Sequence, residues 1–427
     1  MRLLGITIGS AMSENSSEEN KLQAPNPVEV VGGAMAAAAG AVADAAAQGA
    51  KAAAAGAKQV HQMFGGEYGG EFEGNVRGED GRYLVPDPLL DARELKEIES
   101  LKERYERFVE PGFLAKAGKA VSDATPQPVK DAAGAVGGAV ADTFNGLSKQ
   151  ELIAGALKFA AEGYDKLEEQ AVKTTVSRDY VLQRIDAGKQ DEKVSAFDEI
   201  CLLRSYDLAK VVADERLQHM GLALAEGGGL GAIGFWGLPA NLAISMFIYF
   251  RAVQSVAMFY GYDTKGDPTE LEIASKVFSQ AMSPSESGSE TANNYVGKIL
   301  LYGETVGLKK AAKKGWQAMA ESKGAALLIA QMRAMANKAA QNALEKSGQK
   351  ALEAGIFTNV FKEVGSKLTL KSIGKMVPVV GAGFGALFDT AQMNRVLDFA
   401  DVFYRKRFIL EKPERVGELT GTNLLPE

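Results

Sequence analysis

The chain has 427 residues, of which 46% are hydrophobic, so it is long enough to bury a large core and to form two or three domains. Its formal net charge of −6 argues against a general nucleic-acid-binding protein, which usually carries an excess of basic residues. With one cysteine and two histidines it forms no intrachain disulfide, and we expect no zinc site, no Ser-His-Asp triad and no cofactor.

Residues 1–87 are low in complexity and are predicted to form a largely disordered arm and linker. The apolar run after Met1 is shorter than the core of a normal signal peptide, so no secretion is expected, and Met12 is an alternative start. Residues 32–60 are rich in alanine and glycine. They fit either a tail with transient helix or a segment that folds against a partner or a membrane surface.

From residue 88 onward the apolar residues recur at three- and four-residue steps, which predicts an all-α domain over 88–411. In residues 91–109 the apolar side chains occupy one helix face and the charged ones the other, and such charged faces are usually solvated. Ser148 and Glu151 form a capping-box pattern that begins another helix. Residues 283–294 predict a loop between two helical sets, and residues 412–427 predict a tail.

The longest uncharged stretch is 227–250, and it is interrupted by glycines and Pro239. These interruptions favour two helices, 205–226 and 239–260, meeting at a Gly/Pro turn, over a single membrane span. Glu226 and Arg251 bracket the stretch, so an antiparallel hairpin would bring them together as a buried ion pair. In the alternative arrangement Glu226 reaches solvent at a helix end.

Three of these glycines, Gly229, Gly231 and Gly234, match the GxGxxG pattern of dinucleotide-binding proteins. The preceding residues predict a helix instead of a strand, and the next acidic residue after Glu226 is Asp263. We therefore reject a dinucleotide site and interpret the glycines, with Gly237, as residues of a turn and of close helix packing.

The second helical set, which starts near Tyr295, contains a basic segment. Four lysines share one helix sector beside Trp316, namely Lys309, Lys310, Lys313 and Lys314. Lysines that flank a tryptophan are typical of a helix lying on anionic lipid. The same pattern also fits a solvated lysine face with Trp316 in the core.

A second apolar segment covers residues 376–388 and is too short to span a membrane. It contains Pro378, and Gly381 and Gly385 have the spacing of close helix contacts. We expect it to pack against the 227–250 hairpin, so that the two segments form the centre of a multi-helix bundle. Arg405, Lys406 and Arg407 are expected near the end of the helix that follows, where cations suit the helix dipole.

Two motifs carry a resemblance to a known family. The first comprises the glycine-rich segment, Gly237-Leu238-Pro239, the apolar helix and Tyr260-Gly261-Tyr262-Asp263; the second comprises residues 377–385 and Tyr404-Arg405-Lys406-Arg407-Phe408. In this order they resemble the EcsC family of bacterial proteins over about residues 91–411. The family commonly has an aspartate shortly after the Leu-Pro, where this chain has Asn241.

That family takes its name from the third gene of an ABC-transporter operon, and the resemblance implies no established activity. It implies an ABC transporter as one candidate partner. It also implies a cytoplasmic setting at the inner face of a membrane.

Three functions are considered. The favoured one is a non-enzymatic, membrane-associated helical protein that binds lipid or a membrane protein through its apolar glycine-rich segments. The alternative is a soluble scaffold in which those segments are ordinary core. A hydrolase is the least favoured, because Glu226, Arg251 and Asp389 lie in apolar sequence without a visible nucleophile and base.

Overall fold

The computed structural model describes residues 76–78, 80–110, 148–171, 177–186, 194–215, 238–282, 294–302, 323–369, 373 and 383–421. Most of these residues are helical, and within them the one extended pairing is an isolated bridge between Arg77 and Tyr83. The all-α prediction is therefore confirmed. The amino-terminal arm, the 283–293 loop and residues 422–427 lie outside the described residues.

Along the chain, the described helices come in the order α1 to α11. They are α1 (Ala92–Val109), α2 (Lys149–Glu162), α3 (Tyr164–Ala171), α4 (Arg178–Asp186), a 3₁₀ turn (Phe197–Leu202), α5 (205–215), α6 (Leu238–Phe259), α7 (Pro268–Met282), α8 (Tyr295–Leu301), α9 (Lys323–Ser347), α10 (Gln349–Lys367) and α11 (Gly383–Thr420).

Capping residues fix where two of these helices begin. The Ser148 hydroxyl accepts a hydrogen bond from the amide of Glu151 at 3.2 Å, so the capping box predicted for α2 is confirmed. Asp91 caps α1 in the same way, since its carboxylate accepts from the amide of Glu94 at 2.7 Å. These bonds satisfy backbone donors that have no partner within the first turn of a helix.

Helix α6 is the centre of the core. Residues 242–259 are apolar enough and long enough to cross a membrane by composition, and every one of them is buried inside the protein. Helices α2, α3, α4, α7, α10 and α11 all contact it. At Gly155 of α2 a methyl group would lie 3.1 Å from the Pro239 ring, so glycine permits this close approach. The predicted helix over 239–260 is confirmed as a buried core helix.

Helix α11 is the longest described helix, and it runs through Thr420 with Pro413 inside it. It contacts α1, α6, α7, α8 and the 3₁₀ turn. Residues 412–420, which were expected to belong to a tail, are therefore part of the helix, and Lys412 is fully buried. The sequence suggested a tail because the apolar run ends near residue 411. The helix nevertheless continues, and its basic residues Lys412 and Arg415 contact other elements.

Candidate functional site: a buried ionic centre

The carboxyl ends of the two sequence motifs meet in the fold. The ring of Tyr260 lies 6.0 Å from that of Phe408, and the ring of Tyr262 lies 5.6 Å from that of Tyr404. Arg415 donates hydrogen bonds to the carbonyl oxygens of Tyr260 at 3.1 Å and Gly261 at 2.8 Å. The turn after α6 and the middle of α11 therefore form one packed unit.

Arg407 lies at the middle of this unit. Its guanidinium makes two parallel hydrogen bonds to the Glu270 carboxylate, at 2.6 and 2.7 Å, and lies 3.1 Å from Glu411. It also stacks 3.9 Å above the Tyr262 ring. Burial alone would lower the pKa of Arg407, but the two carboxylates raise it well above its ordinary value. The arginine is a permanent cation that fixes α7 against α11.

A second group of charges joins α11 to α1. Glu97 accepts a hydrogen bond from Arg405 Nε at 3.1 Å and another from the Ser205 hydroxyl at 2.8 Å. Glu94 lies 3.1 Å from Lys412 Nζ and accepts from Arg204 at 2.9 Å. Burial lowers the pKa of Lys412 despite the neighbouring Glu94. These carboxylates belong to the α1 face that was expected to be solvated. That expectation was wrong, because α11 packs against α1 and brings Arg405 and Lys412 to these carboxylates.

Asp401 of α11 holds the turn after α6 and helix α1. The Tyr260 hydroxyl donates to Asp401 at 2.6 Å, and Arg104 donates to Asp401 at 3.0 Å and to Asp398 at 2.5 Å. Burial first, and then the charge of Asp401, raise the pKa of Tyr260 well above its ordinary value. We call the residues of these three paragraphs the buried ionic centre: Glu94, Glu97, Arg104, Arg204, Ser205, Tyr260, Tyr262, Glu270, Asp398, Asp401, Arg405, Arg407, Glu411 and Lys412.

Asp263, the last residue of the first motif, closes the turn after α6. It accepts hydrogen bonds from the amides of Gly266 at 2.9 Å and Lys265 at 3.1 Å and forms an ion pair with Arg178. Burial acts to raise the pKa of Asp263, but these donors outweigh it and lower the pKa. The residue terminates α6 and positions α7.

Arg251 is buried in α6 and lies 3.3 Å from Glu168 and 3.8 Å from Glu353. It also donates to Gln254 at 3.2 Å. Glu226 lies outside the described residues, so its pairing with Arg251 stays a prediction. The partners that the structure gives Arg251 come from α3 and α10, which sequence spacing does not connect to α6.

Most of the other predicted site residues also lie outside the described part. They are Gly229, Gly231, Gly234, Gly237, Lys309, Lys310, Lys313, Lys314, Trp316, Pro378 and Gly381. Gly385 and Asp389 lie in the first turns of α11, where only the helix is described. Arg405, Lys406 and Arg407 do not lie at a helix end, because α11 continues to Thr420.

The ionic centre has the chemistry of a structural joint. Its carboxylates are paired with arginine or lysine, and no three His, Cys, Asp or Glu side chains within the described residues are grouped to hold a metal. The Cys201 thiol is buried, and burial raises its pKa, which disfavours the reactive thiolate. The sequence signal that could have located this centre is the basic run 405–407 enclosed by Tyr404 and Phe408.

These features define a class of protein. It is an all-α domain that is built around one apolar helix, and buried ion pairs join its first and last described helices. The chain belongs to the EcsC protein family, whose profile matches residues 92–409. Searches of curated proteins and of solved structures found no match.

Proposed function

We propose that this protein is a non-enzymatic, peripheral membrane protein that docks on anionic lipid at a cytoplasmic membrane face. The observation that carries the proposal is the exposed face of α9. Leu327 and Met335 are 56% and 48% exposed, and exposed alanines, among them Ala330 and Ala334, lie between them. Leu301, at the end of neighbouring α8, adds a third exposed large side chain.

The charge of α9 suits an anionic surface. From Lys323 to Leu344 the helix has no acidic side chain, whereas Lys323, Arg333 and Lys338 are basic. Apolar side chains together with nearby lysines are the combination by which a helix lies on anionic lipid. The Lys309–Trp316 segment comes before α9 in sequence and likewise has basic residues but no acidic one.

The burial of α6 favours a protein that lies on the membrane surface over one that inserts this helix into the bilayer. It would have to leave six neighbouring helices and expose Arg251, with its partners, to lipid. Complete burial of α6 also supports the second candidate function, a soluble scaffold that binds protein partners. In that case the α9 face would bind protein instead of lipid.

Flotation of the full-length protein with phosphatidylcholine vesicles, with and without phosphatidylglycerol, tests the proposal. We expect flotation that needs the anionic lipid and weakens as salt is added. Changing both Leu327 and Met335 to Glu should reduce binding on the order of 100-fold, since each inserted side chain contributes about 1.5–3 kcal/mol.

The matched control is Leu84→Glu, because Leu84 is 51% exposed but lies before α1, away from α9. This variant should float like the wild type. Equal loss in the control and the α9 variant would contradict the α9 surface. A wild-type protein that stays at the bottom of every gradient would contradict lipid binding and favour the scaffold.

A further inference from the structure

Seven basic side chains are buried in the described part of the chain, and six of them have a partner. The six are Lys102 with Glu106, Arg251 with Glu168, Arg405 with Glu97, Lys406 with the Leu300 carbonyl, Arg407 with Glu270 and Lys412 with Glu94. Arg395 is the exception. It is 9% exposed, and its buried Nε and Nη2 atoms have no hydrogen-bond partner.

An unpaired buried guanidinium is costly, because a removed hydration shell is not replaced by an opposite charge. The other six buried cations each have an acceptor, a carboxylate for five of them and a backbone carbonyl for Lys406, whereas Nε and Nη2 of Arg395 have none among the described residues. Burial lowers the pKa of Arg395 to about 10, which still leaves it charged at neutral pH. The Arg395 guanidinium is therefore suited to bind an anion.

Two contacts between α7 and α11 define how these helices are aligned near Arg395. Gln392 contacts Met282, and Arg407 contacts Glu270, so the two helices run antiparallel. Ser279 precedes Met282 by three residues and Arg395 follows Gln392 by three, so we infer from this register that the two lie at about the same level of the helix pair. The Ser279 hydroxyl is likewise buried and without a hydrogen-bond partner among the described residues. A guanidinium and a hydroxyl at one level are suitable donors for a single tetrahedral anion.

We propose that Arg395, with Ser279, forms a binding site for one phosphate group between α7 and α11. The planar fork of an arginine can donate two parallel hydrogen bonds to phosphate oxygens. The phosphate belongs either to a small soluble anion or to a phospholipid headgroup, and both present the same oxygens. The site does not rest on the docking surface of α9.

The test is the thermal midpoint of the full-length protein in sodium phosphate, compared with sodium chloride of equal ionic strength. Phosphate should raise the midpoint, because a ligand that binds only the folded state stabilises it. Arg395→Met should bind phosphate at least about tenfold more weakly, since it removes the charged donor. Without phosphate it should melt above the wild type, because an unpaired buried charge is gone.

Arg82→Met is the matched control, because the Arg82 side chain is 88% exposed, and it should respond to phosphate like the wild type. If inorganic phosphate has no effect but a short-chain, water-soluble phosphatidic acid raises the midpoint, the phosphate is that of a lipid. If neither raises the wild-type midpoint, the proposal is overturned whether or not the variant folds. An Arg395→Met protein that melts below the wild type without phosphate would also overturn it, since Arg395 would then have a partner within the chain.

Failure of this site and failure of lipid docking give different results. Loss of the phosphate response in Arg395→Met with unchanged flotation would support the phosphate site alone. Loss of flotation in the α9 variant with an unchanged phosphate response would support the docking surface alone.

Discussion

Lys406 shows how a single buried charge makes stability depend on pH. Its ammonium group is fully buried and donates to the Leu300 carbonyl at 2.5 Å, at the end of α8. Burial lowers the pKa of Lys406 from 10.5 to about 7, aided by Lys102 and opposed by Glu99 and Glu106. At neutral pH the folded protein therefore holds this proton much less firmly than the unfolded chain does.

We expect this residue to make the protein more stable as the pH rises from 7 to 10.5. In that window the unfolded chain binds a proton that the folded chain has released, so the free energy of unfolding increases with pH. Within that window, Lys406 increases the free energy of unfolding by up to about 1.4 kcal/mol per pH unit. Lys406→Met should flatten the dependence and stabilise the protein at pH 7, as measured by denaturant unfolding at several pH values.

Lys276→Met is the control for this experiment, because the Lys276 side chain is 55% exposed and lies 3.5 Å from the carboxylate of Glu272. It should keep the pH dependence of the wild type. A Lys406→Met protein with the same slope as the wild type would show that Lys406 is charged in both states.

At the scale of elements, the turn after α6 decides how the core helix meets α11. Gly261 has a φ of +76°, a conformation that L side chains rarely adopt, and its carbonyl accepts from Arg415. A methyl group at this position would lie 2.5 Å from Arg415 Nη2 and 3.2 Å from Ile200. Glycine is therefore required at this position because of the positive φ and because there is no room for a β-carbon.

Gly261→Ala should destabilise the protein by about 3 kcal/mol, which combines the strain of a positive φ with displacement of Arg415. Gly348, between α9 and α10, provides a matched control. It has a φ of +77°, but a methyl group there would meet nothing within 4 Å. Gly348→Ala should thus show the backbone strain without a side-chain clash, about 1–3 kcal/mol, and should cost less than Gly261→Ala.

Chemical denaturation of both variants measures the difference. Equal losses in the two proteins would mean that Arg415 moves aside without cost. In that case its hydrogen bonds to the turn would not contribute to the joint between α6 and α11.

At the scale of the whole molecule, the first and last described helices hold each other. Glu94 and Lys412 are 318 positions apart in sequence and both fully buried. Phe399 of α11 packs edge-on against Tyr105 and Phe108 of α1, at 6.0 and 5.4 Å. The domain is therefore incomplete until the residues after 411 have been added.

A protein shortened to end at Glu411 should lose on the order of 3 kcal/mol, because the buried Glu94 loses its lysine and keeps Arg204 as its remaining cation. It should also lose the two hydrogen bonds from Arg415 to the turn. Ending the chain at Gly421 is the control and should leave the thermal midpoint unchanged. Equal midpoints for the two shortened proteins would contradict a structural role for residues 412–420.

Local patterns determined much of the fold. The three- and four-residue apolar spacing gave the all-α class, because side chains at those steps share one helix face. The Ser148 cap and the end of α6 at Tyr260 also followed from short-range chemistry. Burial of α6 was one of two interpretations, because an apolar helix suits a protein core and a bilayer equally well.

Only the tertiary structure decided which charges are buried. From sequence, Glu94 and Glu97 looked like residues of a solvated helix face, Arg405 like a cation near a helix end, and Lys412 like part of a tail. Each is buried next to a counter-charge from an element far away in the chain. Residue spacing within a helix does not predict which distant elements pair. Arg395 is the opposite case, since the fold buries its charge without supplying a hydrogen-bond partner for Nε or Nη2 from the described residues.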